Sequence, residues 1–235
     1  MKTLRKSSLF TLAVVALALL VATPVAMADI VQVIAYPSTP TNYGPNDLGP
    51  INLFDTNLGT LNSVTLTFAG GVTGTIQFTN NGIDASNVFG NDNGILTLTS
   101  SNGDLGLLFP SPLNVATGTV TDFLAPGATG PLHNVSGTNP GTPVSVNPID
   151  FSIFEAVGGG TIDDLFFVSA TGTSTVGSDN GNGSDTYTTN AGEALRIDYN
   201  YSGPNPVPEP GTLSLFGTGL LGLAGMLRSR FSKAS

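Results

Sequence analysis

Apolar residues in the middle of this chain recur at every second position. In NSVTLTFAG, Val64, Leu66 and Phe68 share one side and Thr65 and Thr67 the other; GTIQFTN repeats this with Ile76 and Phe78, and GILTLTS with Leu96 and Leu98. A period of two, rich in Thr and β-branched residues, predicts strands with one buried and one wet face. Further runs stand at VATGTVTDF, IDFSIFEA (Ile149, Phe151, Ile153), DLFFVSATG (Leu165, Phe167) and ALRIDYNY (Leu195, Ile197, Tyr199, Tyr201). Between them lie clusters that read as turns: Gly70-Gly71, Asn80-Asn81-Gly82, Asn91-Asp92-Asn93-Gly94, Ser101-Asn102-Gly103 and GSDNGNGSD. Asn and Asp tolerate left-handed geometry, and Gly accepts it without steric cost. The stretch from Pro110 to Pro148, rich in Pro, Gly and Asn, is expected to be a long loop region with one or two edge strands. Short strands without alternating helices predict an all-β fold, an antiparallel β-sandwich first and a barrel second.

The two ends break this pattern. Lys2, Arg5 and Lys6 precede an apolar stretch from Leu9 to Ala22, and then Pro24 and the small-x-small step Ala26-Met27-Ala28. This order predicts a signal peptide over residues 1–28, cut by signal peptidase after Ala28, and the apolar core is short for a membrane anchor. At the other end, Gly211 to Leu227 carries no charge and is followed by Arg228, Arg230 and Lys233. Such a span can enter the hydrocarbon layer as a transmembrane helix while the cations stay cytoplasmic. Ser214, Thr218 and Gly222 recur every fourth residue, so permanent helix pairing in the membrane is an alternative. The expected organisation is signal peptide 1–28, β-sandwich ectodomain 29–206 and C-terminal segment 207–235.

Without its ends the body is strongly acidic. Between Asp29 and Pro206 one cation, Arg196, stands against fifteen acids, a formal charge of −14. Nucleic-acid binding, which needs clustered Lys and Arg, is excluded. Cysteine is absent, so disulfides, thiol catalysis and Cys-ligated metals are excluded as well.

Chemistry is sparse in what remains. The single histidine, His133 in GPLHNVSG, reads as a solvated loop residue, because a base needs an orienting partner and a nucleophile. Asp150, Glu155, Asp163 and Asp164 lie near strand ends and are the carboxylates a glycosidase would draw on, although ordinary solvated acids look the same. Asp179, Asn180, Asn182 and Asp185 supply the hard oxygens that Ca²⁺ prefers, but the spacing departs from an EF-hand after its first turn, and a plain hairpin loop is expected. Tyr36, Tyr43, Tyr187, Tyr199 and Tyr201 are the aromatics left for sugar stacking in a chain without Trp. No catalytic residue, cofactor or metal is expected, and the protein is read as a non-enzyme.

Two stretches carry resemblances. VPEP, the apolar segment to Leu227 and the terminal cations resemble the PEP-CTERM sorting signal of exopolysaccharide-producing Gram-negative bacteria. That resemblance implies an exosortase, a membrane-embedded processing enzyme, acting at Pro208, Glu209 and Pro210, with transient residence in the inner membrane. LFDTNLGTLNSVTLTFAGGVTGTIQFTN and FFVSATGTSTVGSDNGNGSDTYTTNAGEALRIDYNY resemble the choice-of-anchor E domain, an exported family to which the resemblance attaches no activity. Together they imply a secreted, exosortase-processed cell-surface or matrix protein that meets extracellular polysaccharide in a biofilm. The alternative is a carbohydrate-binding module, or a glycan-acting enzyme, on the same scaffold.

Overall fold

The computed structural model describes residues 27–109 and 112–203. Fourteen strands appear there in chain order: β1 (Met27–Pro40), β2 (Tyr43–Asp47), β3 (Ile51–Asn52), β4 (Phe54–Asp55), β5 (Thr60–Asn80), β6 (Ser86–Ser100) and β7 (Leu113–Ala116). They continue with β8 (Val120–Leu124), β9 (His133–Asn139), β10 (Pro143–Ser145), β11 (Glu155–Ala156), β12 (Thr161–Ile162), β13 (Phe166–Ser178) and β14 (Gly183–Ser202). Two five-stranded sheets result. The first runs β1-β14-β5, with β10 and β9 on the far side of β5; the second runs β2-β13-β6, with β7 and β8 on the far side of β6. The two sheets pack face to face, as the alternating pattern predicts for a sandwich.

The alternation sets what lies between them. Val64, Leu66, Phe68 and Val72 of β5 and Leu195, Ile197 and Tyr199 of β14 meet Leu96 and Leu98 of β6 and Phe166, Val168 and Ala170 of β13 in one buried cluster. Each large apolar side chain so buried contributes about 1.5–3 kcal/mol. Ile76, Phe78, Val88, Leu124 and Val135 form a second, smaller cluster. Residues Ala28–Tyr201 make up one compact unit. Among the described residues no helix is long and apolar enough to cross a membrane.

Several expectations are corrected. Gly70-Gly71 and Asn91–Gly94 are not turns but lie inside β5 and β6. Close packing between the sheets explains the glycines: a Cβ on Gly70 would stand 2.2 Å from Leu96 Cδ1, and one on Gly94 2.2 Å from Val72 Cγ1. In IDFSIFEA only Glu155–Ala156 is a strand. Pro148–Ile153 is a 3₁₀ helix, started by Pro148 and by Asn147 Oδ1, which accepts from the Ile149 amide at 3.2 Å, and Ile149 is exposed. In DLFFVSATG the inward residues of the strand are Phe166, Val168 and Ala170, so Phe167 faces outward and Leu165 is buried just before the strand. The Pro/Gly-rich segment supplies four strands instead of one or two, and these complete both sheets: β9 pairs with β5 from Gly70 to Ile76, and β7 and β8 lie end to end along β6. The loop after Ser178 is not a hairpin, because β13 and β14 belong to different sheets. It crosses between the sheets beside the β5–β6 crossing, and the Asn81 amide donates to Asn182 O at 2.7 Å.

Candidate functional site

A cavity of about 530 Å³ opens where β1, β14, β5 and the end of β9 converge. Tyr36, Gly70, Thr138, Asn139, Pro140 and Glu193 are among the residues that line it. Glu193 belongs to the inward set of β14, with Ala191, Leu195, Ile197 and Tyr199, and is 3% exposed. Its Oε2 accepts a 2.6 Å hydrogen bond from Tyr43 Oη on β2. Its Oε1 is buried with no hydrogen-bond partner among the described residues. Tyr36 completes the corner: its ring lies 5.3 Å from that of Tyr43, and its hydroxyl accepts from Asn46 Nδ2 at 2.8 Å.

Burial governs the electrostatics here. It pushes the Glu193 carboxyl up to about 7, against the downward pull of the Tyr43 hydrogen bond. The Tyr43 phenol is pushed up as well, first by burial and then by Glu193. Tyr199 is raised by burial while Gln32 opposes it, and its hydroxyl donates to Asn52 O at 2.9 Å. Asp92 of β6 is a second buried carboxylate: its Oδ1 accepts from Thr189 Oγ1 of β14 at 2.6 Å, and its Oδ2 is without a partner among the described residues. Burial raises it, Thr189 and the Asn93 amide oppose, and Asp185 adds a smaller upward push.

The residues singled out in the sequence are scattered. His133 is a correction: it begins β9, is no loop residue, and has an orienting partner. Its Nε2 lies 3.0 and 2.9 Å from the two carboxylate oxygens of Asp122 on β8, and its ring stands 6.4 Å from that of Phe78. Since β8 and β9 belong to different sheets, this pair ties their edges together. Asp150 lies in the 3₁₀ helix and Glu155 in β11, both half-buried, while Asp163 and Asp164 are exposed between β12 and β13. In the 177–185 loop Asp179 Oδ2 accepts from Asn87 Nδ2 at 2.7 Å, and Asn180 Oδ1 accepts from Ser178 Oγ and the Asn182 amide, whereas Asp185 Oδ2 is buried without a hydrogen-bond partner among the described residues. Among the described residues no three His, Cys, Asp or Glu side chains gather as a metal site. Of the tyrosines, Tyr187 is exposed, and the others lie wholly or partly inside. Neither buried carboxylate stands out as a site residue in the sequence, where Asp92 reads as part of a turn. The signal for Glu193 was its parity, an acid on the inward side of an otherwise apolar run.

Ala28 lies in β1, whereas Ala26, the triplet Pro208, Glu209 and Pro210 and the apolar span 211–227 lie outside the described residues. A family model for the PEP-CTERM protein-sorting motif matches residues 206–230, which include the triplet. No curated protein matches the chain. Among solved structures it is similar to that of infectious bursal disease virus Gx strain, at 12% identity and a TM-score of 0.19, covering 83% of this chain and 47% of that one. It is also similar to the infectious bursal disease virus VP2 subviral particle, at 10% identity and a TM-score of 0.20, covering 76% of this chain and 37% of that one. The chain thus spans less than half the length of these structures. Likenesses this low carry no argument. The sorting motif does, and it implies an exported protein that an exosortase sorts to the surface of a Gram-negative bacterium.

Proposed function

We propose that this protein is a non-enzymatic surface or matrix protein whose β-sandwich is retained with extracellular polysaccharide. Signal peptidase cuts after Ala28, and an exosortase acts at Pro208-Glu209-Pro210 while Gly211 to Leu227 holds the chain in the inner membrane. The observation that carries the reading is the sorting motif at residues 206–230, attached to a body whose formal charge is −14. Such a body stays soluble outside the membrane and repels anionic surfaces, so the polysaccharide it meets is neutral or bridged by cations. The cavity beside Tyr36 and Glu193 is the place where a sugar ring would sit, since it joins an aromatic wall to polar groups. A choice-of-anchor E ectodomain accords with this reading, and the two stretches that resemble it include β5, β13 and β14.

Fractionation of the producing cells tests it. The mature protein is expected in the polysaccharide-bearing matrix fraction and in solution after the polysaccharide is digested. Wild-type protein found free in the medium, with none in the matrix, would overturn the reading.

A further inference from the structure

We infer that Tyr36, Tyr43 and Glu193 form a proton-controlled clamp, in which neutral Glu193 holds strand β2 against β14 and ionised Glu193 lets β2 go. The inference goes beyond the polysaccharide reading and does not need it.

The geometry makes ionisation costly. A carboxylate can accept about four hydrogen bonds, and at 3% exposure Glu193 has one, from Tyr43. Its other oxygen is orphaned. No cation compensates: between residues 27 and 203 the one Lys or Arg is Arg196, which is exposed and bonded to Asp198 at 2.7 Å. The groups facing the corner are Tyr43 from β2, Tyr36 and the buried Thr39 hydroxyl from β1, and the polar Thr138 and Asn139 at the end of β9. Burial and Glu193 hold the Tyr43 phenol protonated, so the change of charge falls on Glu193. A buried charge without a partner is relieved by water, and the adjoining cavity offers water a way in.

The weakest neighbour then yields. Strand β2 has five residues, one of them Pro45, and lies at the edge of its sheet. It pairs with β13 at Asp47, Asn46 and Tyr43, across a register shift between Val168 and Ala170. Few ladder bonds make such a segment the first to open. Its opening would take Tyr43 from Glu193 and let water reach the carboxylate, so acid closes the corner and alkali opens it.

Amide hydrogen exchange of the exported protein, corrected for intrinsic rates and followed at pH 5.5 and 8.5, tests the clamp. Peptides covering Tyr43–Asp47 should lose roughly tenfold or more of their protection at the higher pH, since each unit between the closed-state and open-state pKa is a factor of ten. Peptides from the middle of β6 and β13 should not change. Glu193→Gln should keep β2 protected at both pH values. Equal protection of β2 at the two pH values in wild type, or the same pH dependence in Glu193→Gln, would overturn the inference. Infrared titration of wild type covers the case in which the variant does not fold: a buried carboxyl that ionises near neutral pH supports the clamp, and one that is already ionised at pH 5.5 refutes it. Neither readout involves polysaccharide, so the clamp and the retention reading fail separately.

Discussion

Tyr43 Oη stands 2.6 Å from Glu193 Oε2, and this bond joins residues 150 apart in sequence and on different sheets. Further polar contacts cross the sandwich, among them Thr189 to Asp92, His133 to Asp122 and Asn46 to Tyr36. The sheets are therefore held together by apolar burial and also by a few buried polar ties, each of which makes an experimental claim.

The first concerns pH. Burial raises Glu193 from its ordinary 4.5 to about 7, so the folded protein binds a proton that the unfolded chain releases in that interval. Its favourable contribution is complete below about pH 4.5, declines as pH rises to about 7, and is flat above. Glu193→Gln should remove this decline and stabilise the protein by about 1–3 kcal/mol at pH 8. Urea melts of both proteins from pH 4 to 9 measure the difference.

Thr189→Val should destabilise by about 1–3 kcal/mol, because it removes the one side-chain donor to a fully buried carboxylate. Chemical denaturation reads the loss. A change of a few tenths would mean that Asp92 finds water or another partner.

Glycine substitutions should rank by what they strike. A Cβ on Gly74 would lie 2.0 Å from the backbone oxygen of Thr188, which cannot move aside, whereas one on Gly70 would meet the flexible end of Leu96. Gly74→Ala should cost about 2–3 kcal/mol and Gly70→Ala about 1–2 kcal/mol. Thermal midpoints in the reverse order would refute the packing account.

Asp122→Ala leaves His133 without the carboxylate that links β8 to β9. A partly buried pair of this kind stabilises by about 0.5–2 kcal/mol. The expected result is a lower thermal midpoint and faster exchange in β8, with the middle of β13 unaffected.

Glu209→Ala should leave membrane insertion intact, since the apolar span alone determines it, while processing fails. Full-length protein should then accumulate in the inner membrane, and mature wild type should begin at Asp29 and lack Phe231 to Ser235. Mass spectrometry of both termini decides this, and a wild-type surface protein that still carries that tail would point to a permanent anchor.

What the chain alone determined is local. Alternation at Val64–Leu66–Phe68, Ile76–Phe78, Leu96–Leu98 and Leu195–Ile197–Tyr199 predicted strands and their inward faces, because side chains project to opposite sides of a strand at successive residues. The charge pattern at the C-terminus made the sorting motif legible in the same way, since it is read by a membrane and an enzyme as a linear string. Only the tertiary structure decided which glycines turn the chain and which let two sheets approach, because Gly70 and Gly82 are chemically the same until Leu96 of the facing sheet fills the space at the first and the Asn180 side chain that at the second. It also decided that the Pro/Gly-rich segment becomes four strands, whose partners β5 and β6 lie elsewhere in the chain. The Tyr43–Glu193 and His133–Asp122 pairs belong to the same class. A hydrogen bond needs two atoms within about 3 Å, and for residues on opposite sheets that proximity is a property of the packed fold.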